Sequence, residues 1–242
     1  MQPANWYRVT PSTTGARYTA IAGNEYQPPQ TQKSSDDFKT NTPLTLIELY
    51  KYLNSISPLQ EETWRRVEQL FTEKTLFKGD CFINEGEQAK QIGFLTSGII
   101  RAFYRNNEGI EYNKHFFIPH NIVGGYSSLV TSTPNKIILQ TLSECKILVA
   151  NYSEVLKLYD LFPDFERVGR RLAELFFVNK EQREIEIVLL NADERYWIFR
   201  KKYPQLEEQI PQYHIASYLG ITPTQLSRIR RKFSKASFSL HM

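Results

Sequence analysis

Cysteine is scarce in this sequence: Cys81 and Cys145 are the only two in 242 residues, and they form no CxxC pair. Both fall in strand-like segments, so they read as reduced structural thiols, as expected of a cytoplasmic protein. No run of about 18 apolar residues exists, so no membrane span is expected. The first residues lack the basic stretch and apolar core of a secretory signal. Neither a nucleophile motif nor a phosphate-cradling loop is present, and Glu108-Gly109 and Gly124-Gly125 read simply as turns.

What is present suits a soluble globular chain with one large or two modest domains. Hydrophobic residues make up 41% and charged residues 23%, enough apolar material for a proper core. The overall charge of +4 is unevenly spread. Residues 196–242 hold eight cations (Arg200, Lys201, Lys202, Arg228, Arg230, Arg231, Lys232, Lys235) against Glu207 and Glu208, a local +6 that leaves the rest at −2. A basic end on a slightly acidic body points to a polyanionic partner for that end.

Residues 1–43 contain five of the twelve prolines and much Thr, Ser, Asn and Gln. Apolar periodicity is absent, so a disordered or loosely attached extension is expected. Leu44, Ile47, Leu49, Tyr52 and Leu53 then give one helical face. A second helix is expected from Ser57 as N-cap, Pro58 at its first position and Glu61 placed for reciprocal capping. Trp64, Val67, Leu70 and Phe71 form its stripe. From about 75 to 150 short β-rich runs alternate with turns: 75–77, 81–83, 91–95, 99–104, 111–117, 121–123, 136–142 and 146–150. Such a pattern implies a barrel or sandwich.

A short helix is expected over 153–160, then a long one from Asp164 to about Leu190, about 40 Å in length. Leu172 and Leu175 belong to its apolar stripe, which Asn179 and Gln182 interrupt. A long apolar seam with a central Asn reads as a contact between two copies, a homodimer. The alternative is a helix packed on its own barrel. These boundaries divide the chain into an extension (1–43), a sensor-like domain (44–160), a dimerisation helix (161–191) and a small helical domain (192–242).

The most informative stretch runs from Pro211 to Phe233. Ile215 and Leu219, four apart, face a core, and Ala216 is small where helices cross. Gly220 can take the left-handed conformation that ends a helix. Ile221 plugs the turn, Thr222 is a good N-cap, and Pro223 suits the first helical position. Leu226 and Ile229 bury the second helix. A helix-turn-helix is expected, with an ordinary helical hairpin as the alternative. Double-stranded DNA is the expected partner. Thr224, Gln225 and Arg228 are the candidate base readers, and Arg228 suits a guanine. Thr222, Ser227, Arg230, Arg231 and Lys232 are the candidate phosphate contacts. In a dimer two such helices would lie about 34 Å apart and read a near-palindrome.

Taken together, residues 44–235 resemble the family of the cyclic-AMP receptor protein and the fumarate-nitrate regulator (Crp/Fnr), most nearly its Bacteroidetes members. The resemblance rests on Phe77-Lys78-Gly79-Asp80, Ile83, Glu85-Gly86-Glu87 and Ile92-Gly93-Phe94-Leu95-Thr96-Ser97-Gly98, followed by the long helix and the helix-turn-helix. It implies an α+β chain: a cyclic-nucleotide-binding-type β-barrel (a double-stranded β-helix), a dimerisation helix and a C-terminal winged helix-turn-helix with a short or missing second wing strand. It also implies a transcription regulator, with RNA polymerase as a candidate further partner. Arg228 matches the family's strongest base-reading arginine position.

The departures from the family bear on the ligand. Members that bind cyclic AMP supply a Gly-Glu pair for the ribose and an Arg-Ser/Thr pair for the phosphate. The matching segments here are Gly125-Tyr126-Ser127-Ser128-Leu129 and Asn135-Lys136-Ile137-Ile138. Tyr126 replaces the acid, Lys136 the arginine and Ile137 the hydroxyl. Lys neutralises a phosphate without clamping it bidentately. The expectation is an unknown small-molecule effector other than cyclic AMP near Gly125, Tyr126, Ser127, Ser128 and Lys136, or none. Two distant cysteines cannot supply an iron–sulfur cluster, and His115 and His120 read as structural rather than haem ligands. A cupin-like metal enzyme is weighed and set aside, because the spacing of His115 and His120 puts their rings on opposite faces of a strand. A cyclic-nucleotide-binding regulatory module of an enzyme or channel is the other alternative. No catalytic residue, cofactor or metal site is therefore expected.

Overall fold

The computed structural model describes residues 43–239, with side chains to 234. The extension expected before Pro43 lies outside the described residues. Among the described residues eight strands appear: β1 (Thr72–Leu76), β2 (Cys81–Ile83), β3 (Gln91–Ser97), β4 (Ile100–Arg105), β5 (Glu111–Phe117), β6 (Asn121–Val123), β7 (Ile138–Thr141) and β8 (Cys145–Asn151). They form two four-stranded sheets, ordered β1-β8-β3-β6 and β2-β7-β4-β5, with all neighbours antiparallel. Apart from the β4–β5 hairpin, consecutive strands thus sit in different sheets, the arrangement of the expected double-stranded β-helix. Phe94, Leu95, Ile100, Leu139 and Ile147 are fully buried in its core. Gly93 is needed there by packing, since a Cβ would lie 2.9 Å from Ile147 Cγ1 and 3.4 Å from Phe82 Cζ.

Helices cover this barrel. The first is α1 (Leu44–Ile56), which buries Leu49, Leu53 and Ile56 but leaves Leu44 exposed. The second, α2 (Glu61–Val67), begins later than the sequence suggested. Ser57 closes α1 instead of capping α2, and its N–H donates to the Leu53 carbonyl at 3.2 Å. Capping of α2 comes from a residue about a hundred positions away. Asp164 accepts from the Gln60 N–H at 2.8 Å and from Thr63 Oγ1 at 2.9 Å. Glu61, freed from capping, pairs with Arg65.

After β6 comes a short helix, α3 (Tyr126–Thr131), where the sequence suggested only a turn. Following β8 are α4 (Tyr152–Leu161) and the long α5 (Pro163–Leu189). The start of α5 belongs to the barrel core through Phe165 and Val168. Its Arg171 also caps α1, donating to the Ile56 carbonyl at 2.8 Å.

The remaining helices are α6 (Ala192–Lys202), α7 (Leu206–Gln209), α8 (Gln212–Leu219) and α9 (Pro223–Ser239). Residues 192–239 contain helices and no strand among the described residues, so the expected wing is not formed there. The second core lies among these helices and against the barrel. Phe116 of β5 is fully buried, its ring centroid 5.8 Å from that of Tyr203 and 5.5 Å from that of Tyr218.

Candidate nucleic-acid interface

The C-terminal unit is built from α8, a turn and α9. Ile215, Ala216 and Leu219 of α8 and Leu226 of α9 are essentially inaccessible, and Ile229 is buried beside them. The chain reverses at Gly220, which has φ +68°. Its N–H donates to the Ser217 carbonyl at 3.2 Å, and the Ile221 N–H donates to Ala216 at 3.0 Å, closing the helix end. Pro223 opens α9, as the missing proline N–H allows.

Thr222 and Gln225 form a reciprocal cap. The Gln225 N–H donates to Thr222 Oγ1 at 3.2 Å, and the Thr222 N–H donates to Gln225 Oε1 at 2.9 Å. One expected base reader is therefore also a structural cap. Thr224, Arg228 and Arg231 follow at steps of four and three and share one exposed face, with Ser227 at its margin. Neither Arg228 nor Arg231 has an ion pair or side-chain hydrogen bond among the described residues.

Arg230, one of the expected phosphate contacts, has a partner within the fold. It turns inward to Glu207 at 2.6 Å, a carboxylate that also accepts from Tyr196 Oη at 2.6 Å. The pairing neutralises its charge within the fold. Lys232 remains highly exposed but pairs with Asp193. Among the described side chains of the unit, the outward charge without an internal partner is thus at Arg228 and Arg231.

The placement of α8 depends on residues that the sequence reading passed over. From the barrel, Asn113 Nδ2 donates to the His214 carbonyl at 3.0 Å. Ser217 Oγ accepts from the Asn113 N–H at 3.0 Å and donates to the Glu111 carbonyl at 2.9 Å. Arg101, only 5% exposed, binds Glu111 at 2.6 Å and Gln140 at 2.6 Å, and lies 3.3 Å from His214 Nδ1. From the other side, Arg183 of α5 donates to the Tyr218 carbonyl, and Arg195 donates to the Leu219 carbonyl at 3.1 Å. The one available signal was a charge inside the apolar run Ile99-Ile100-Arg101-Ala102-Phe103.

The candidate ligand segment has a different character. Ser128 is buried and locally satisfied, accepting from the Ala89 N–H at 3.0 Å and donating to the Thr133 carbonyl at 2.6 Å. Gly125 faces the Asn135 side chain, with room for no Cβ, since one would lie 2.9 Å from Asn135 Oδ1. Tyr126 is about half-exposed, and Ser127 and Lys136 are exposed. Burial, then Tyr126 beside it, pushes Tyr152 up to about 12. A cavity of about 260 Å³ opens elsewhere, between the barrel turns at Gly98, Pro119 and Ser143 and the α6–α7 junction at Tyr203 and Leu206.

Along α5, Leu172 is half-buried against the chain's own barrel, and Leu175 is half-buried farther on. Asn179 and Gln182 are exposed, as are Phe176, Phe177 and Val178. His115 lies in β5, its Nδ1 3.2 Å from Tyr203 Oη. His120 corrects the reasoning about strand faces: it sits in the β5–β6 turn with φ +67°, not in a strand. No cluster of three or more metal-ligating side chains occurs among the described residues.

Residues 73–161 match the cyclic nucleotide-binding domain family. No curated protein sequence matches the chain. Among solved structures, FixK2 of Bradyrhizobium japonicum is similar, with a TM-score of 0.61 at 16% identity over 69% of this chain and 86% of that one. A Crp/Fnr-family transcriptional regulator from Eubacterium rectale gives 0.61 at 15% identity over 76% and 88%. The c-di-GMP-responsive regulator CLP of Xanthomonas campestris gives 0.57 at 16% identity over 74% and 93%. At these identities the likeness is one of fold.

Proposed function

We propose, from a chain whose residues 73–161 match the cyclic nucleotide-binding domain family and whose fold is of the Crp/Fnr type, that this protein is a cytoplasmic transcription regulator. It binds double-stranded DNA as a homodimer, performs no catalysis, and makes contact with RNA polymerase. The observation that carries this reading is the α8–Gly220–α9 unit, with Thr224, Arg228 and Arg231 on one exposed face and both arginines free of internal partners among the described residues. The start of α9 enters the major groove, Thr224, Gln225 and Arg228 meet base edges, and Thr222, Ser227, Arg231 and Lys232 meet phosphates.

The exposed apolar side chains of α5, notably Phe176 and Phe177, support contact with a second copy. The effector is a small molecule other than cyclic AMP, acting near Gly125–Ser128 and Lys136. Tyr126 and Ile137 support this, since Tyr126 supplies no carboxylate for a ribose and Ile137 no hydroxyl for a cyclic phosphate. Movement at that segment would reach α8 through α5, whose Arg183 holds the Tyr218 carbonyl.

The test is selection of purified protein against a randomised duplex library at two salt concentrations, beside Arg228→Ala. A single enriched near-palindrome, relaxed at one base pair per half-site in the variant, is the expected result. Failure to enrich any duplex at either salt, with and without candidate effectors, would overturn the DNA reading.

A further inference from the structure

Gln225 is free to use only half of its amide. The Thr222 N–H can donate but not accept, so the Gln225 atom 2.9 Å from it is necessarily the oxygen Oε1. Thr222 Oγ1 lies 3.2 Å from the same oxygen. The Gln225 N–H binds back to Thr222 Oγ1 at 3.2 Å, so side chain and backbone are locked in one reciprocal cap. Gln225 is exposed, and its Nε2 makes no hydrogen bond among the described residues.

This arrangement matters for readout. A glutamine that recognises adenine uses both ends of its amide, accepting from N6 and donating to N7. Breaking the cap to free the acceptor would leave the Thr222 N–H without its partner at the start of α9. Resting on the DNA reading above, we infer that Gln225 reads as a donor alone. Its Nε2 selects an acceptor edge: guanine first, with N7 and O6 side by side, then thymine through O4. It disfavours adenine, whose N6 amino group would meet another donor, and cytosine, whose N4 is a donor as well.

Gln225→Glu separates the two roles of this side chain. One carboxylate oxygen keeps the cap, and a negative charge in the first turn suits the helix dipole. The other oxygen turns the outward group from donor to acceptor, which pairs with cytosine N4. Gln225→Ala removes cap and reader together. Its thermal melt beside that of Gln225→Glu shows whether any lost selectivity reflects unfolding.

The experiment is duplex selection with wild type, Gln225→Glu and Gln225→Ala. Wild type is expected to prefer guanine or thymine, by roughly three- to tenfold, at the position that Gln225→Ala relaxes. Gln225→Glu is expected to turn that same position to cytosine and leave the others unchanged. Adenine preferred there by wild type would overturn the inference while leaving DNA binding intact. So would a Gln225→Ala variant, still folded, that alters no position. Absence of any enriched duplex for wild type would instead overturn the DNA reading, and this inference with it.

Discussion

Asn113 of β5 grips His214 of α8 at two points: its Nδ2 donates to the His214 carbonyl at 3.0 Å and lies 3.3 Å from Nδ1 of the ring. Arg101 reaches the same ring nitrogen at 3.3 Å. Two donors meeting at Nδ1 require it to be the acceptor, so the imidazole is neutral and carries its proton on Nε2. A strand of the barrel thereby fixes the helix that precedes the candidate recognition helix.

Removing that grip is expected to loosen α8 without disturbing the barrel. Asn113→Ala removes the side-chain bond to the His214 carbonyl, a loss of about 0.5–1.5 kcal/mol. Chemical denaturation reads the destabilisation. Amide exchange places it: residues in α8 should exchange faster while those in β3 and β8 do not. Unchanged exchange in α8 would mean that the Arg183 and Arg195 contacts hold the helix without the barrel.

Stability should fall in mild acid. Burial, reinforced by the Arg101 guanidinium, pushes His214 down to about 4 from 6.5. Burial, with Lys202, Lys114 and Arg183 nearby, pushes His115 down to about 3. Between about pH 4 and 6.5 the unfolded chain therefore binds more protons than the native one. Both contributions are complete above pH 6.5 and erode as pH falls, by about 1.4 kcal/mol per unit per histidine at most. Glu111 acts in the same direction at lower pH. Burial raises it, but hydrogen bonds from Arg101 and Arg105 outweigh that and hold it below its ordinary value. Urea unfolding from pH 7.5 to 4.5 should show the slope, and His214→Gln should flatten it. An unaltered slope in the variant would show that His214 is not a proton-linked group in this range.

The salt dependence of DNA affinity should separate two neighbouring arginines. Arg231 faces outward and has no internal ion pair among the described residues, whereas Arg230 is held by Glu207 at 2.6 Å. Each phosphate contact adds about 0.9 to the slope of log K against log salt. Arg231→Ala should reduce the slope by about one contact. Arg230→Ala should leave the slope intact and lower thermal stability instead. Equal slope changes would mean that Arg230 abandons Glu207 when DNA binds.

Local chemistry made much of this fold legible in the sequence. Gly220, Thr222 and Pro223 mark the turn because each residue type suits its backbone position, and the eight strands follow runs bounded by turn residues. Partners distant in sequence were not legible. Ser57-Pro58 carries a good local start signal, yet Asp164 moves the start of α2 to Glu61. Arg230 looks identical to Arg231 until Glu207 is placed beside it. Arg101 and Asn113 read as ordinary strand residues until α8 packs over them. The wing rested on family likeness alone, without a strand-forming pattern after Phe233 to support it.

The proposed contact between copies can be tested on α5 by one substitution. Phe165 and Val168 are spent on the chain's own core, and Leu172 packs at its edge. Farther along, Phe176 is 42% exposed and Phe177 69%, beside exposed Asn179 and Gln182. Burying a large apolar side chain stabilises an interface by about 1.5–3 kcal/mol, whereas burying an unpaired carboxylate opposes association strongly. Phe176→Glu should therefore yield a folded monomer by sedimentation equilibrium, with an unchanged barrel melt. Its affinity for a full palindrome should fall toward that for a single half-site, because one recognition helix then binds without its neighbour. A variant that remains dimeric would move the seam off this face of α5. A monomer that keeps full palindrome affinity would show that DNA itself assembles the two copies.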